Sequence, residues 1–540
     1  MSQTAHKDTF VRDRLPPPDM QPEFIFELPE LQYSKRLNCA RPLLDHWVEQ
    51  GQGERVALVA PGVRWTYGEL QAKANQIAHV LVEDMGLEPG NRVLLRAPNN
   101  PMLVACWFGV IKAGGVVVTT MPLLRTKELI DILSKAEITH ALCDWRFRED
   151  LEEASQHCPT LREVRYFGCE GPDGLEALMS TKPKGFVNVD TASDDPVLIA
   201  FTSGTTGRPK GCVHFHRDVL AVCDTFGKYV LRATPNDVFI GSPPLAFTFG
   251  LGGLVLFPMR IGASSVLLER ATPDLLLEGI AKFAATVCFT SPTAYRAMAA
   301  KAGDFDLKAL RKCVSAGEAL PASTRLLWRQ ATGIEIIDGI GSTEMLHIFI
   351  SHTEEEAKPG ATGKPVPGYR ACVLDPDGNP LPPGQVGRLA VKGPTGCRYL
   401  ADERQKDYVQ RGWNVTGDAY LLDEEGYFVY QARTDDLIIS SGYNISPAEV
   451  EEALLLHPAV RECAVVGVPD PDRGQVVKAF IVLAEGVTAT DELARQLQDF
   501  VKQTIAPYKY PRAIEFCDAL PRTATGKLQR FVLRQRSGTL

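Results

Sequence analysis

From residue 92 to residue 302, apolar runs of strand length alternate with segments of helix length, which leaves few architectures open to the chain. Strands are expected at 92–96, 116–120, 141–143, 238–240, 265–268 and 287–289. Helices are expected at 101–113, 127–136, 217–229, 251–262, 272–283 and 292–302. This rhythm predicts parallel sheets covered by helices. Residues 102–124 are almost wholly apolar, but Lys112 interrupts them and Gly114-Gly115 reads as a turn. A central lysine costs about 3 kcal/mol in a bilayer helix, so a buried helix followed by a buried strand is expected there.

The character changes after residue 373. Turns such as Asp375-Pro376-Asp377-Gly378 and Pro382-Pro383-Gly384 separate short strands, predicting a smaller β-rich unit up to residue 430. The last hundred residues read as a compact α+β unit. A strand at 437–440 precedes a helix opened by Ser446, Pro447 and Glu449; strands at 463–468 and 476–483 and a helix at 491–505 follow. The expected fold class is α/β. A large N-terminal domain (1–434) of stacked α/β sheets carries a β-rich subdomain, and a small α+β domain (435–540) follows, with a short hinge near Asp435.

An apolar, strand-like run at 196–201 leads directly into Thr202-Ser203-Gly204-Thr205-Thr206-Gly207-Arg208-Pro209-Lys210-Gly211. Glycines let backbone N–H groups approach an anion, and hydroxyls and a lysine add donors around it. The segment reads as a phosphate cradle, although its order is not that of the Walker loop. A flexible surface loop is the plain alternative.

Charge and cysteine usage exclude other classes. The net charge is −8 without blocks of like charge, which argues against a nucleic-acid partner. Thirteen cysteines show no CxxC pair or metal-ligand spacing, which fits a reducing, cytoplasmic compartment. The polar, proline-bearing N-terminus has no apolar core of a secretory leader, and no membrane insertion is expected.

Four further segments carry potential chemistry. Asp338-Gly339-Ile340-Gly341-Ser342-Thr343-Glu344 delivers a carboxylate from a turn of small residues, a candidate magnesium ligand beside phosphate. Thr416-Gly417-Asp418 places an aspartate where it could grip two ribose hydroxyls, and Arg433 offers a planar donor fork. Pro521-Arg522-Thr523-Ala524-Thr525-Gly526-Lys527 presents a lysine on a glycine loop. Each alone has a bland reading as a solvated loop or a turn former. Their joint order does not.

Together these segments resemble the adenylate-forming superfamily of acyl-CoA synthetases, non-ribosomal adenylation domains and beetle luciferases, over almost the entire chain. Residues 338–351 and the stretch Phe26-Glu27-Leu28-Pro29-Glu30-Leu31-Gln32-Tyr33 resemble the benzoate-CoA and 2-aminobenzoate-CoA ligases. The resemblance implies that a carboxylate attacks the α-phosphate of Mg-ATP, and that coenzyme A then displaces AMP. By position, Thr202, Ser203, Gly204, Thr205, Thr206, Gly207 and Lys210 would hold the β- and γ-phosphates. Thr343 and Glu344 would sit at the α-phosphate and Mg2+. Asp418 and Arg433 would hold the ribose, while Gly317-Glu318-Ala319 and Asp338-Gly339-Ile340 would flank the adenine. Lys527 would be the catalytic lysine of a mobile C-terminal domain swivelling about Asp435. Rotation would bring in Ser441, Gly442 and Tyr443 for the thiol.

The resemblance also maps an acid pocket onto Phe247, Phe249, Ala316, Gly317, Gly341 and His347. Many relatives have histidine where Phe247 stands and an aromatic residue where Ile340 stands. His347 has two open readings, a donor facing the ring of an aromatic acid or a core histidine bonded to backbone. The expected reaction is an ATP-dependent aryl-acid CoA ligation on benzoate or 2-aminobenzoate. A carrier-protein loading enzyme, a medium-chain acyl-CoA synthetase, a luciferase-like oxygenase and a nucleotide sensor are the alternatives, and homodimerisation is left open.

Overall fold

The computed structural model describes residues 3–202, 209–434, 436–440, 443–470, 473–522 and 528–537. Two α/β sheets dominate the N-terminal part. The six-stranded sheet runs Glu163–Phe167, His140–Asp144, Arg92–Arg96, Val116–Thr120, Pro196–Thr202, Lys210–Phe215. All its neighbours are parallel except the last pair, which is antiparallel. The nine-stranded sheet has a parallel centre, Val56–Ala60, Ser264–Val266, Val238–Gly241, Val287–Thr290, Lys312–Ser315 and Ile336–Gly341, with antiparallel strands at both ends.

The two sheets share a helical layer. Helix Pro101–Lys112, capped by the Asn100 side chain, packs on Arg92–Arg96 and Val116–Thr120 of one sheet and on Val56–Ala60 of the other. Nearly every residue of this helix is buried, which explains its lack of a polar face. Its Lys112 is buried and satisfied by Asp45 and by Asn188 Oδ1 at 3.2 Å. No helix among the described residues is long and apolar enough to cross a membrane.

A five-stranded antiparallel unit follows, with Arg370–Leu374, Val386–Lys392, Trp413–Leu422 and Val409–Gln410 in order and Phe428–Arg433 beside Trp413–Leu422. Beyond it a separate sheet contains Tyr443–Ile445, Ile438–Ser440, Gly474–Leu483, Val460–Asp470 and, parallel to Gly474–Leu483, Ala513–Phe516. Helices Pro447–Leu455 and Asp491–Thr504 cover it, with Leu454, Leu497 and Val501 in its core.

Several details differ from the sequence expectations. The expected helix 217–229 begins as His216–Val222 and continues as a π-helix, Cys223–Leu231. The expected 251–262 helix begins earlier, at Thr248–Leu251, and passes through a π-helical segment Gly252–Leu256 into Phe257–Ile261. At Ser446 the N-cap forms, its hydroxyl accepting from Glu449 N at 3.3 Å, while the Glu449 carboxylate turns away to Lys509. The strand Lys210–Phe215 was not foreseen, because its first residues belong to the glycine-rich loop.

Close helix packing yields a test. A Cβ on Gly109 would lie 2.6 Å from Ile77 Cγ2 and 3.1 Å from the Ala74 carbonyl oxygen. Gly109→Ala gains about 1 kcal/mol of helix propensity but overpacks this contact by about 1–3 kcal/mol. The expected outcome in a thermal melt is a lower Tm. A raised Tm would show that the helix pair yields.

Candidate active site

The strands on either side of the candidate phosphate loop pair with each other. Thr202 and Lys210 face each other in antiparallel register, ending one strand and starting the next. Ser203, Gly204, Thr205, Thr206 and Gly207 lie outside the described residues. The outer edge of Lys210–Phe215 is taken by residues 398–400. Val213 N donates to the Arg398 carbonyl at 2.8 Å, and Leu400 N donates to the Gly211 carbonyl at 2.9 Å. Tyr399 thereby pairs with Cys212, two residues from Lys210.

Glu344 stands opposite. It is buried, and the Tyr399 phenol donates to its Oε1 at 2.5 Å. Lys210 Nζ donates to the same phenol at 2.7 Å and lies 3.6 Å from Glu344 Oε1. An ammonium has no acceptor, so the direction of this chain is fixed from lysine to phenol to carboxylate. Burial, with the nearby Glu344 charge, drives the Tyr399 phenol far above its ordinary pKa and keeps it a donor. The carbonyl of Thr343 accepts from His214 Nε2 at 2.8 Å and from Leu346 N at 3.2 Å. Leu346 closes the turn at φ 69°, left-handed for a buried leucine, a sparsely populated geometry held by the surrounding packing.

The ribose candidates are adjacent by register. Asp418 pairs with Arg433 across two antiparallel strands, with Arg433 Nη1 2.9 Å from Asp418 Oδ1. Gly417 has φ 77°, a conformation that favours glycine, and a Cβ there would lie 2.8 Å from Arg433 Nη2. Burial raises the Asp418 pKa and Arg433 opposes it.

The adenine candidates sit at the C-terminal ends of parallel strands, the edge where such sheets bind ligands. Gly317 is exposed with φ 89°, Ala319 is exposed, and Ile340 is half-buried. Asp338 is buried and accepts from Ser315 Oγ at 2.6 Å. Its backbone N–H donates to His352 Nε2 at 3.2 Å. Burial lifts the Asp338 carboxyl to about 6, opposed by Ser315 and Arg325. Glu318 accepts from Thr293 Oγ1 at 2.6 Å and meets Arg522 Nη1 at 3.4 Å.

At the acid pocket the structure brings His347 and Phe249 together, with ring centroids 5.7 Å apart. Phe257 at 4.6 Å and Phe226 at 5.5 Å complete an aromatic nest with Phe289. Neither nitrogen of His347 makes a well-formed hydrogen bond. Burial drives its pKa down to about 3, opposed by the Phe249 carbonyl, so the ring is neutral at physiological pH. His347 is thus buried in the core, with the Phe249 carbonyl as a weak backbone partner and no well-formed hydrogen bond at either nitrogen. Phe247 is placed elsewhere and lines a small cavity with Thr119, Leu198, Ala200 and Leu245. Ala316 is buried, and Gly341 is exposed. A Cβ on Gly341 would lie 2.7 Å from the His347 carbonyl oxygen.

Of the C-terminal candidates, Lys527, Asp435, Ser441 and Gly442 lie outside the described residues, and Tyr443 begins the strand Tyr443–Ile445. Arg522 and Leu528 pair as an antiparallel bridge that brackets the stretch containing Lys527. Arg522 contacts Glu318, and Glu452 accepts from Ala322 N at 3.1 Å, so the C-terminal unit rests beside the adenine candidates.

Sequence reasoning missed Tyr399, His214, Phe226, Phe257 and Phe289. Only Gly252-Gly253 signalled the nest. A Cβ on Gly252 would lie 2.3 Å from His347 Cδ2, and one on Gly253 would lie 2.6 Å from Phe289 Cδ1. These glycines let the helix approach both rings.

The family follows from comparison with known proteins. Residues 44–399 match the AMP-binding enzyme family and residues 449–527 match the AMP-binding enzyme C-terminal domain. The chain belongs to this adenylate-forming family, as an AMP-forming acid–thiol ligase. It is 37% identical over 515 residues to the benzoate–CoA ligase of Thauera aromatica, covering 94% of this chain and 97% of that protein. The mitochondrial acyl-coenzyme A synthetase ACSM3 of Mus musculus is 33% identical over 541 residues, covering 96% and 92%. The crystal structure of the anthranilate CoA ligase AuaEII in complex with anthranoyl-AMP superposes with a TM-score of 0.90 at 34% identity, covering 94% of this chain and 99% of that one.

The buried Asp338 yields a prediction with a sign. Its ordinary carboxyl value is 3.8 and its folded value is about 6, so the native state holds the proton more tightly. Stability from this group is full below pH 3.8 and is lost as pH rises through 6, a swing of about 3 kcal/mol. Asp338→Asn does not titrate. Its Tm relative to the parent is expected to climb between pH 4 and 7.5; a flat difference would mean that Asp338 is ionised at no cost.

Proposed function

We propose that the protein is an ATP-dependent CoA ligase for a planar aromatic acid, benzoate or 2-aminobenzoate. The carrying observation is the neutral His347, with neither nitrogen in a well-formed hydrogen bond, set in a nest of phenylalanines behind Gly341. Apolar walls with one buried polar group suit a ring whose single substituent is read by a hydrogen bond. Similarity to the benzoate–CoA and anthranilate CoA ligases supports the same reading.

In the proposed reaction a carboxylate oxygen attacks the α-phosphorus, the bond to the bridging oxygen breaks, and pyrophosphate leaves. The CoA sulfur then attacks the acyl carbon and AMP departs. Lys210 and the loop 202–207 would hold the β- and γ-phosphates, and Asp418 with Arg433 the ribose. Thr343 would meet the α-phosphate. Glu344 suits Mg2+: Oε1 is bound by Tyr399, while Oε2 accepts no hydrogen bond among the described residues and remains a hard anionic donor. Bound there, Mg2+ would neutralise phosphate charge. Lys527 would stabilise charge at the α-phosphate, and holding acid and nucleotide in line removes much of the entropic barrier. Support for Lys527 comes from Arg522, held on Glu318 at the adenine side.

ATP–pyrophosphate exchange with benzoate and 2-aminobenzoate is expected to outrun exchange with octanoate. Faster octanoate turnover would instead favour a medium-chain acyl-CoA synthetase; similarity to the acyl-coenzyme A synthetase ACSM3 supports the broader acyl-CoA synthetase reading. His347→Ala is expected to lower kcat/KM for 2-aminobenzoate more than for benzoate, by about 1 kcal/mol or more for a lost buried hydrogen bond. An equal loss on both acids would remove the substituent-reading role.

The half-reactions separate the C-terminal roles. Lys527→Ala is expected to abolish adenylation while sparing thioester formation from supplied acyl-adenylate. Asp435→Pro, which fixes φ near −65°, is expected to do the reverse by blocking rotation. Single-turnover pyrophosphate release and CoA thioester assays distinguish them, and equal losses in both steps would make either residue structural.

A further inference from the structure

We infer that Tyr399 is a positioning residue for adenylation, joining the phosphate-loop lysine to Glu344 and reserving one carboxylate oxygen for the metal-bound nucleotide. The inference rests on the reading of Glu344 as the Mg2+ ligand.

The geometry is specific. Tyr399 forms an isolated antiparallel bridge with Cys212, and its neighbours Arg398 and Leu400 each make one backbone hydrogen bond to the strand that starts at Lys210. Its backbone N–H is held by Gln405 Oε1 at 2.9 Å, and its ring packs edge-on against Tyr408 at 5.9 Å. The side chain therefore has little freedom. Its hydroxyl accepts from Lys210 and donates to Glu344 Oε1. Because the lysine occupies the acceptor side of the phenol, the phenolic hydrogen is committed to the carboxylate.

The next residue upstream braces the same turn by another route. Arg398 is buried between the rings of Phe24 and Phe215 and pairs with Asp218 at 2.7 Å. Asp218 lies in the first turn of helix His216–Val222, 3.8 Å from His214 Nδ1, and His214 holds the Thr343 carbonyl. Residues 398 and 399 thus bear on consecutive residues of the turn, Thr343 through its backbone and Glu344 through its side chain. A carboxylate gripped at one oxygen cannot rotate about its terminal bond, so the other oxygen is presented in a single orientation. Lys210 touches Glu344 through Tyr399 and, more distantly, by a direct ion pair at 3.6 Å, so a shift of Lys210 toward phosphate loosens that pair and the acceptor side of the phenol while the phenol keeps its bond to Glu344.

The test is a double-mutant cycle with Tyr399→Phe and Glu344→Gln. The readout is the affinity for α,β-methylene-ATP measured by calorimetry with and without Mn2+, and the quantity followed is the ratio of the two dissociation constants. Tyr399→Phe is expected to cut the tightening by Mn2+ by about fivefold or more, and to leave the metal-free affinity within about twofold. In the Glu344→Gln background the same change is expected to add nothing. General damage to the fold would weaken both affinities and leave their ratio unaltered, and that outcome overturns the inference. So does an unchanged ratio in Tyr399→Phe alongside a reduced one in Glu344→Gln, which spares the metal-ligand reading. An unchanged ratio in Glu344→Gln itself overturns the metal-ligand reading and the inference with it. In turnover, Tyr399→Phe is expected to slow pyrophosphate exchange by about tenfold or more, with thioester formation from supplied acyl-adenylate within about twofold.

Discussion

The edge strand Lys210–Phe215 is the joist on which the catalytic side depends. An unpaired sheet edge is a liability that proteins cover. Here the cover comes from residues 398–400, which lead into the antiparallel unit, so one set of backbone hydrogen bonds fastens that unit to the six-stranded sheet. The strand spaces Lys210, Cys212 and His214 at a two-residue period, all on one face, and two of them reach the turn at 343–344. Phosphate loop, acidic turn and β-rich unit are therefore referenced to a single element.

Charge is distributed around the cleft in a consistent way. Asp338, Glu344 and Asp418 are all buried carboxylates, and each has a dedicated donor: Ser315, Tyr399 and Arg433. Burial disfavours the charged form and raises the pKa of Asp338 and Asp418 against their donors, with a smaller contribution from the Glu344 charge at Asp418.

Much of this was legible from the residues. The strand–helix alternation gave the parallel sheets, and Lys112 with Gly114-Gly115 separated a buried helix from a strand, as found at Pro101–Lys112 and Val116–Thr120. The order of the loop, the acidic turn and the Thr416-Gly417-Asp418 segment pointed to nucleotide chemistry, because those residues act through local backbone geometry. Tyr399 was illegible for the opposite reason. It acts across 189 residues of chain on Lys210 and 55 on Glu344, and no local pattern encodes such a contact. The phenylalanines of the nest come from three separate helices or strands and read individually as ordinary core. The π-helical segments Cys223–Leu231 and Gly252–Leu256 were equally hidden, since a one-residue insertion in helical winding leaves apolar composition unchanged.

The contact between Gly252 and the His347 ring ties two positions 95 residues apart into one steric unit. Any side chain at 252 would occupy the space of the imidazole, and any smaller residue at 347 would open a void against the glycine. Neither position can drift alone without either a clash or a cavity. A lineage that alters this packing would have to change both together, and a library that randomises one while holding the other would sample mostly clashes or cavities.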